Sequence, residues 1–293
     1  MRATNRLKAV YVSLYLTVAG VLAALAVWHL TNAGGEVGRI HYGWLGATLA
    51  NAPVVVTLLW WMLARRQPRT SAGLTPIMAL AVSGLGLAAV SYQLNQPGAV
   101  DALIYAAVGL GGFLLYIKWY SVFSDRDSAA LETGRTLPVF DLENADGSAI
   151  SSDYFAGKTT LLMFYRGNWC PLCMAQIKEI AARYRELSER GVEIVLISPQ
   201  PHPHTAKLAG RFDVPFRFLV DPGGKAGEAL GIAAPGGLPL GMELFGYDQD
   251  TVMPTVIIVN AEGEILFADQ TDNYRMRPEP DTFLRILDEH SES

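Results

Sequence analysis

The chain has two cysteines, Cys170 and Cys173, three apart in Tyr165-Arg-Gly-Asn-Trp-Cys-Pro-Leu-Cys173. An apolar run (Thr160 to Tyr165) precedes them and a helical pattern (Met174 to Ser188) follows. A C-x-x-C at a strand-to-helix junction is the arrangement of a redox-active dithiol. A bond closing so short a loop constrains little of the unfolded chain, so it would serve chemistry and not stability. Thiolate is the nucleophile, and a cysteine at a helix start has its anion favoured by unpaired backbone N–H groups and the helix dipole. Cys170 is therefore expected to be the exposed attacking thiol and Cys173 the resolving one. Arg166, four residues earlier, adds positive potential. Pro171 suits the first helical turn, where its missing N–H has no partner to lose. Trp169 reads as a substrate platform beside the thiol or as packing.

The elements that must position this pair alternate as strands and helices. Leu137 to Leu142 reads as a short strand, Asn144 to Gly147 as a turn, and Ser148 to Ile150 as its returning partner. Ser151 to Phe155 looks like a capped short helix. Thr159 to Tyr165 and Val192 to Ser198 are near-continuous apolar runs, as central strands buried on both faces should be. Met174, Ile177, Ile180, Ala181, Tyr184 and Leu187 recur at helical spacing between them, and Gly191 ends that helix. The result is a β-α-β unit with a parallel pair. A helix (Thr205 to Phe212), a strand (Phe216 to Val220) and a short helix (Lys225 to Leu230) follow. Thr255 to Val259 and Glu264 to Ala268 form a hairpin, and Asp281 to His290 a last helix. Gly231 to Asp250 is a long Gly/Pro-rich loop: an insertion, a lid, or a membrane-facing element through Leu238, Leu240, Met242, Leu244 and Phe245.

The composition is divided. Residues 1–123 carry a net charge of +6 and residues 124–293 a net charge of −11. The acidic part has no basic patch, which argues against a nucleic-acid partner. The first part holds four apolar runs near bilayer-spanning length, at about 9–30, 43–64, 73–93 and 99–120. Trp28, Trp44, Trp60, Trp61, Trp119 and Tyr120 fall at run ends, as an aromatic belt would. The first run is too long for a signal peptide and three more follow, so no cleavage is expected. Arg2, Arg6, Lys8, Arg65, Arg66, Arg69, Lys118 and Arg126 lie on one side of these runs and Arg39 alone on the other. That bias puts both termini and the dithiol in the cytoplasm of a bacterial-type inner membrane. These spans contain no cysteine, which excludes electron passage across them by internal thiols. Pro53, Gly109, Gly111 and Gly112 read as helix-packing residues, with a small-molecule or quinone pocket as the alternative.

The order of elements after residue 134 resembles the thioredoxin fold. Within it, Leu137-Pro-Val-Phe, Gly157-Lys158, Phe164 to Cys173, Leu196-Ile-Ser-Pro199 and Thr255 to Asn260 resemble the alkyl hydroperoxide reductase/thiol-specific antioxidant (AhpC/TSA, peroxiredoxin-like) branch. The apolar runs give an N-terminal all-α transmembrane four-helix bundle (1–123) followed by a linker (124–136), and the resemblance implies a C-terminal α/β thioredoxin-like domain (137–293) with a central mixed sheet flanked by helices. It also implies that Pro254, in Met253-Pro-Thr255, is a cis-proline lying against the dithiol. Two departures stand out. Met163 and Gly167 occupy the Pro and Thr/Ser positions of the peroxidatic motif, and Pro254 occupies the place of an Arg. Phe164 stands where thioredoxins proper have a buried Asp. Arg277 is roughly where peroxiredoxins have a second Arg, but reads as a surface residue before the last helix.

The function expected from these residues is a membrane-anchored thiol–disulfide oxidoreductase, using Cys170 and Cys173 with Pro254, Trp169 and Arg166 around them. Its substrates would be protein disulfides or hydroperoxides, its electron source a thiol reductant, and its surroundings a lipid bilayer. Cytosolic poise makes reduction the default direction. A thiol peroxidase and a non-enzymatic redox-sensing or assembly module are the alternatives. No cofactor or metal is expected. Pro201-His202-Pro203-His204 reads as a prolyl loop, with a zinc site made with the two cysteines, or a proton-transfer role for either histidine, as alternatives.

Overall fold

A computed structural model describes residues 1–32, 41–63, 72–123 and 126–291. Arg39, Arg65, Arg66 and Arg69, which carry much of the charge bias, lie outside the described residues, as do Ala64 and the side chain of Trp61. Contacts divide the chain into two compact units, Val10–Val122 and Phe123–Ser293 with Met1–Ala9.

The first unit is helical. Its elements are α1 (Arg2–Asn32, whose first turns fall in the other unit), α2 (Tyr42–Leu63), α3 (Thr75–Gln93) and α4 (Ala99–Leu115). A π-helical turn, Tyr116–Tyr120, extends α4. Four helices among the described residues are long and apolar enough to cross a membrane. Small residues set their spacing: a Cβ on Gly46 would strike the Gly84 carbonyl, and one on Gly84 the Gly46 carbonyl. Gly109 packs on Asn51 and Gly112 on the Tyr15 ring, whereas Gly111 faces no neighbour. Trp28 and Trp60 are exposed, as a belt requires. Trp44 is not: it is buried and stacks on His29 at 4.1 Å between ring centroids.

The second unit is built on one mixed sheet. Its strands are β1 (Asp141–Asn144), β2 (Ala149–Ser151), β3 (Thr160–Phe164), β4 (Glu193–Ser198), β5 (Arg217–Val220), β8 (Thr255–Val259) and β9 (Ile265–Ala268), in the order β2-β1-β5-β4-β3-β8-β9. A separate two-stranded ribbon pairs β6 (Ala233–Ala234) with β7 (Thr251–Val252). β3, β4 and β5 run parallel, and β8 runs antiparallel to β3 with Phe164 opposite Thr255. The helices are α5 (Pro171–Ala182), α6 (Tyr184–Glu189), α7 (His202–Ala209), α8 (Lys225–Ala229) and α9 (Pro280–Ser291).

Why β3 is apolar from Leu161 onward is visible in its neighbours. Leu161 and Met163 point to one face, into a cluster with Ile177, Ile180, Phe283 and Leu287. Leu162 and Phe164 point to the other, with Leu131, Phe140, Phe155 and Ile257. From Leu161 to Phe164, alternation with both faces covered leaves no position for a polar side chain; Thr160, buried at the strand's start, satisfies its hydroxyl by donating to the Lys158 carbonyl at 3.2 Å. Each such Leu or Phe contributes roughly 1.5–3 kcal/mol of burial, which fixes β3 as the rigid stem of the loop that follows it.

Three elements differ from the expectation, each for a local reason. The first strand is Asp141–Asn144 and not 137–142. Pro138 has no N–H to offer a ladder, and the Leu137 N–H is instead bonded to the Gly263 carbonyl at 2.8 Å. The helix after the dithiol begins at Pro171 and breaks at Arg183, whose φ of −108° and ψ of 12° leave the helical region. Its N–H bonds to Ile180, three residues back, and its side chain reaches Glu186 and Asp281. Finally, Pro201-His-Pro-His204 is no loop: His202 to His204 make the first turn of α7, where Pro203 loses nothing by lacking an N–H.

Candidate functional site

β3 ends at Phe164, and the chain crosses Tyr165 to Trp169 before Cys170 opens α5. Cys170 is the N-cap of that helix, with extended backbone (φ −83°, ψ 109°), and its sulfur accepts the Cys173 N–H at 3.3 Å. The cap position is normally filled by a short oxygen-bearing side chain that satisfies an orphan N–H. Here the sulfur does that work. The two sulfurs are not bonded to each other in this structure. Contrary to the expectation of an exposed attacking thiol, Cys170 is only 3% exposed and Cys173 is fully buried. The reason is the apolar cluster beneath β3, which takes in both cysteines and against which Trp169, Leu172 and Met174 also pack.

The two thiols are shifted in opposite directions. Burial pushes the Cys170 thiol up, but the hydrogen bond from the Cys173 side chain and the positive charges of Arg166 and Arg277 outweigh it and bring it down to about 6. Burial raises the Cys173 thiol well above its ordinary value, and its bond to Cys170 and the charge there raise it further. The pair is thus polarised into one thiolate and one thiol.

Arg166 lies over the Trp169 ring, 4.9 Å from its centroid, and 5.9 Å from that of Tyr274. It donates to the Gly237 carbonyl at 2.6 Å, and its own carbonyl accepts from Thr251 Oγ1 at 3.0 Å. Asn168 is held twice: its N–H donates to Gln200 Oε1 at 2.8 Å, and its side-chain oxygen accepts from the Tyr247 hydroxyl. Gln200 Nε2 in turn donates to the Tyr165 hydroxyl (3.0 Å) and Thr205 Oγ1 (3.1 Å). The long 231–250 segment is therefore latched onto the thiol loop at Gly237 and Tyr247, with Leu238 buried and Leu240, Leu244 and Phe245 exposed at its tip. At Gly167 (φ 151°) a Cβ would collide with the Trp169 indole. A Thr or Ser there would have to displace the tryptophan.

Pro254 is buried one residue before β8, on the sheet edge that carries the thiol loop. No cis peptide bond occurs among the described residues, so the Met253–Pro254 bond is trans, contrary to the implied cis-proline. Trans is the form X–Pro bonds ordinarily favour. Its carbonyl accepts from Arg126 at 2.6 Å. Arg126, counted above among the loop charges, is itself buried. Arg277, expected at the surface, is only half-buried and acts electrostatically on both cysteines. The family position was the only sign of it in the sequence, and Arg126 gave none. His202 pairs with Glu143 at 2.7 Å and His204 stacks on Tyr247 at 4.2 Å. Among the described residues, no three His, Cys, Asp or Glu side chains stand together as a metal site would need.

Comparison with known proteins places this site in a family context. Residues 133–268 match the model of the AhpC/TSA family. The thiol–disulfide oxidoreductase ResA of Halalkalibacterium halodurans is 27% identical over 168 residues, covering 57% of this chain and 81% of that protein. The chloroplastic peroxiredoxin Q of Sedum lineare is 29% identical over 130 residues, covering 44% of this chain and 69% of that one. Among solved structures, peroxidoxin BcpB of Mycobacterium tuberculosis is 21% identical, with a TM-score of 0.45 over 55% of this chain and 98% of the other.

Proposed function

We propose that the protein is a membrane-anchored thiol–disulfide oxidoreductase working through Cys170 and Cys173, a reading supported by the match of residues 133–268 to the AhpC/TSA family. The observation that carries the reading is the sulfur cap at the start of α5, where Cys170 accepts the Cys173 N–H at 3.3 Å and is shifted down while Cys173 is shifted up. Cys170 attacks one sulfur of a substrate disulfide. That S–S bond breaks, a mixed disulfide forms, and the leaving thiolate takes up a proton. Cys173 then loses its proton and attacks Cys170, releasing the second substrate thiol. The protein is left with a Cys170–Cys173 disulfide, oxidised by two electrons, which an external dithiol reduces. Arg166 and Arg277 hold the Cys170 charge. Trp169 shapes the surface on which the substrate rests, and the buried Pro254 supports the thiol loop from the start of β8.

A second reading, a thiol peroxidase, is favoured by one observation: Cys170 is so nearly covered that a small hydroperoxide reaches it more easily than a folded protein. Here the O–O bond breaks, Cys170 becomes a sulfenic acid, an alcohol or water leaves, and Cys173 condenses with loss of water. Stopped-flow oxidation of the reduced full-length protein separates the two. Faster reaction with a protein disulfide than with hydrogen peroxide or cumene hydroperoxide supports the oxidoreductase. The reverse order rejects it in favour of the peroxidase.

We infer that the helices with the length and apolarity of membrane spans anchor the redoxin domain, and that it faces the cytoplasm of a bacterial-type inner membrane, a reading supported by the charge bias of the sequence. A membrane-impermeant maleimide is expected to leave both cysteines unlabelled in intact cells and to label Cys170 after permeabilisation. Labelling in intact cells would reverse the orientation.

A further inference from the structure

Arg126 precedes the region of family similarity by several residues, yet its side chain is inside the redoxin unit, 5% exposed. Its guanidinium spends nearly all its donors on two segments, the start of β8 and the chain just after β9. It donates to the carbonyls of Pro254 (2.6 Å), Asp269 (2.9 Å) and Thr271 (3.2 Å) and to Thr255 Oγ1 (3.1 Å). Thr255 Oγ1 passes the contact on by donating to the Met253 carbonyl at 2.8 Å. A planar fork with five N–H groups can serve four acceptors around it; an ammonium cannot serve them in that geometry.

The edge so held is the one against which the thiol loop is set. Thr255 stands in register with Phe164, the last residue of β3. Thr251, on the same segment, donates to the Arg166 carbonyl at 3.0 Å. We propose that Arg126 is a positioning residue of the thiol site: by fixing Met253, Pro254 and Thr255 it fixes where Arg166 and Cys170 lie. It touches neither cysteine and takes no part in bond exchange.

One charge is common to both residues: Asp269 and Arg277 act on Arg126, while Arg166 and Arg277 act on Cys170, to which Cys173 adds hydrogen bonds. Arg126 is brought down to about 10, chiefly by burial, with Arg277 adding to the lowering, and at neutral pH it remains charged.

The proposal rests on Cys170 being the activated thiol, and its test separates the two. Full-length protein in detergent, reduced, is alkylated with iodoacetamide across pH 4.5–9, and adducts at Cys170 are counted by mass spectrometry. Arg126→Met is expected to move the half-point upward by about one pH unit, slowing alkylation at pH 6 roughly fivefold. Arg126→Lys, which keeps the charge but not the fork, should fall between. Arg277→Met should shift the profile too, and the double variant Arg126→Met/Arg277→Met less than the sum of the singles. A profile for Arg126→Met that coincides with the parent's, with only a lower melting temperature, overturns the proposal and leaves Arg126 a structural tie. If Arg126→Met does not fold, Arg126→Lys decides by the same criterion: an upward shift supports the role and coincidence rejects it. A parent profile centred at ordinary thiol pH would instead overturn the choice of Cys170 as nucleophile, and this role for Arg126 with it.

Discussion

Replacing Cys170 by serine is expected to lower turnover with a disulfide or hydroperoxide by on the order of a thousandfold or more. No other group can substitute. Cys173 is the only other sulfur nucleophile in the chain, and it is fully buried with its thiol held protonated. Cys173→Ser should behave differently. Cys170 remains activated, through Arg166 and Arg277 if no longer through the Cys173 thiol, so the first attack proceeds and the second has no nucleophile. One equivalent of substrate reacts and the enzyme stops, carrying the substrate half as a mixed disulfide that dithiothreitol removes. Rapid-quench kinetics with intact-mass detection reads both results. Sustained multiple turnover by Cys173→Ser would remove the resolving role, and substantial residual activity in Cys170→Ser would remove the whole scheme.

The second large effect is in pH. A thiol whose folded value is pulled down to about 6 is reactive above that pH, and loses reactivity as pH falls through it. An ordinary cysteine near pKa 8.5 is only about 0.3% ionised at pH 6, so Cys170 holds roughly a hundredfold more thiolate there. A less basic thiolate is also a weaker nucleophile, by about tenfold over this interval. The net expectation is that Cys170 reacts with a small alkylating agent roughly tenfold faster than free cysteine at pH 6, and that the advantage vanishes by about pH 8. Cys173 should label only in unfolded protein. A single rise near pH 8.5 in native protein would show that Arg166, Arg277 and the Cys173 bond do not outweigh burial.

What could be read from the sequence followed from local rules. The dithiol sits at a helix start because an apolar run and a helical pattern flank it, and the four apolar helices declare themselves by length alone. The buried strands were legible for the same reason: Leu161 to Phe164 face apolar neighbours on both sides. What escaped was set by residues far apart in the chain. Arg126 looks like a linker charge until Pro254, Asp269 and Thr271 are brought round it. Trp44 looks like a belt residue until His29 stacks on it. Cys170 looks exposed because helix starts usually are; only the packing of Trp169 and Leu172 beneath β3 covers it. The latch of Asn168 and Tyr247 joins residues with most of the fold between them, and no pattern in either segment announces it.

The sulfur cap on α5 has a consequence for energy and not only for rate. As long as Cys170 is a thiolate it receives the Cys173 N–H and the nearby positive charge. A disulfide carries no charge and forfeits that stabilisation. Whatever steadies the thiolate therefore favours the dithiol over its oxidised form, and raises the reduction potential relative to a C-x-x-C whose first cysteine has an ordinary pKa. The same first turn that makes Cys170 quick to attack makes it a weaker donor of electrons, so the default direction suggested by a cytoplasmic location is opposed by the helix itself. The direction of net flow is set by the potential of the thiol that recharges the pair.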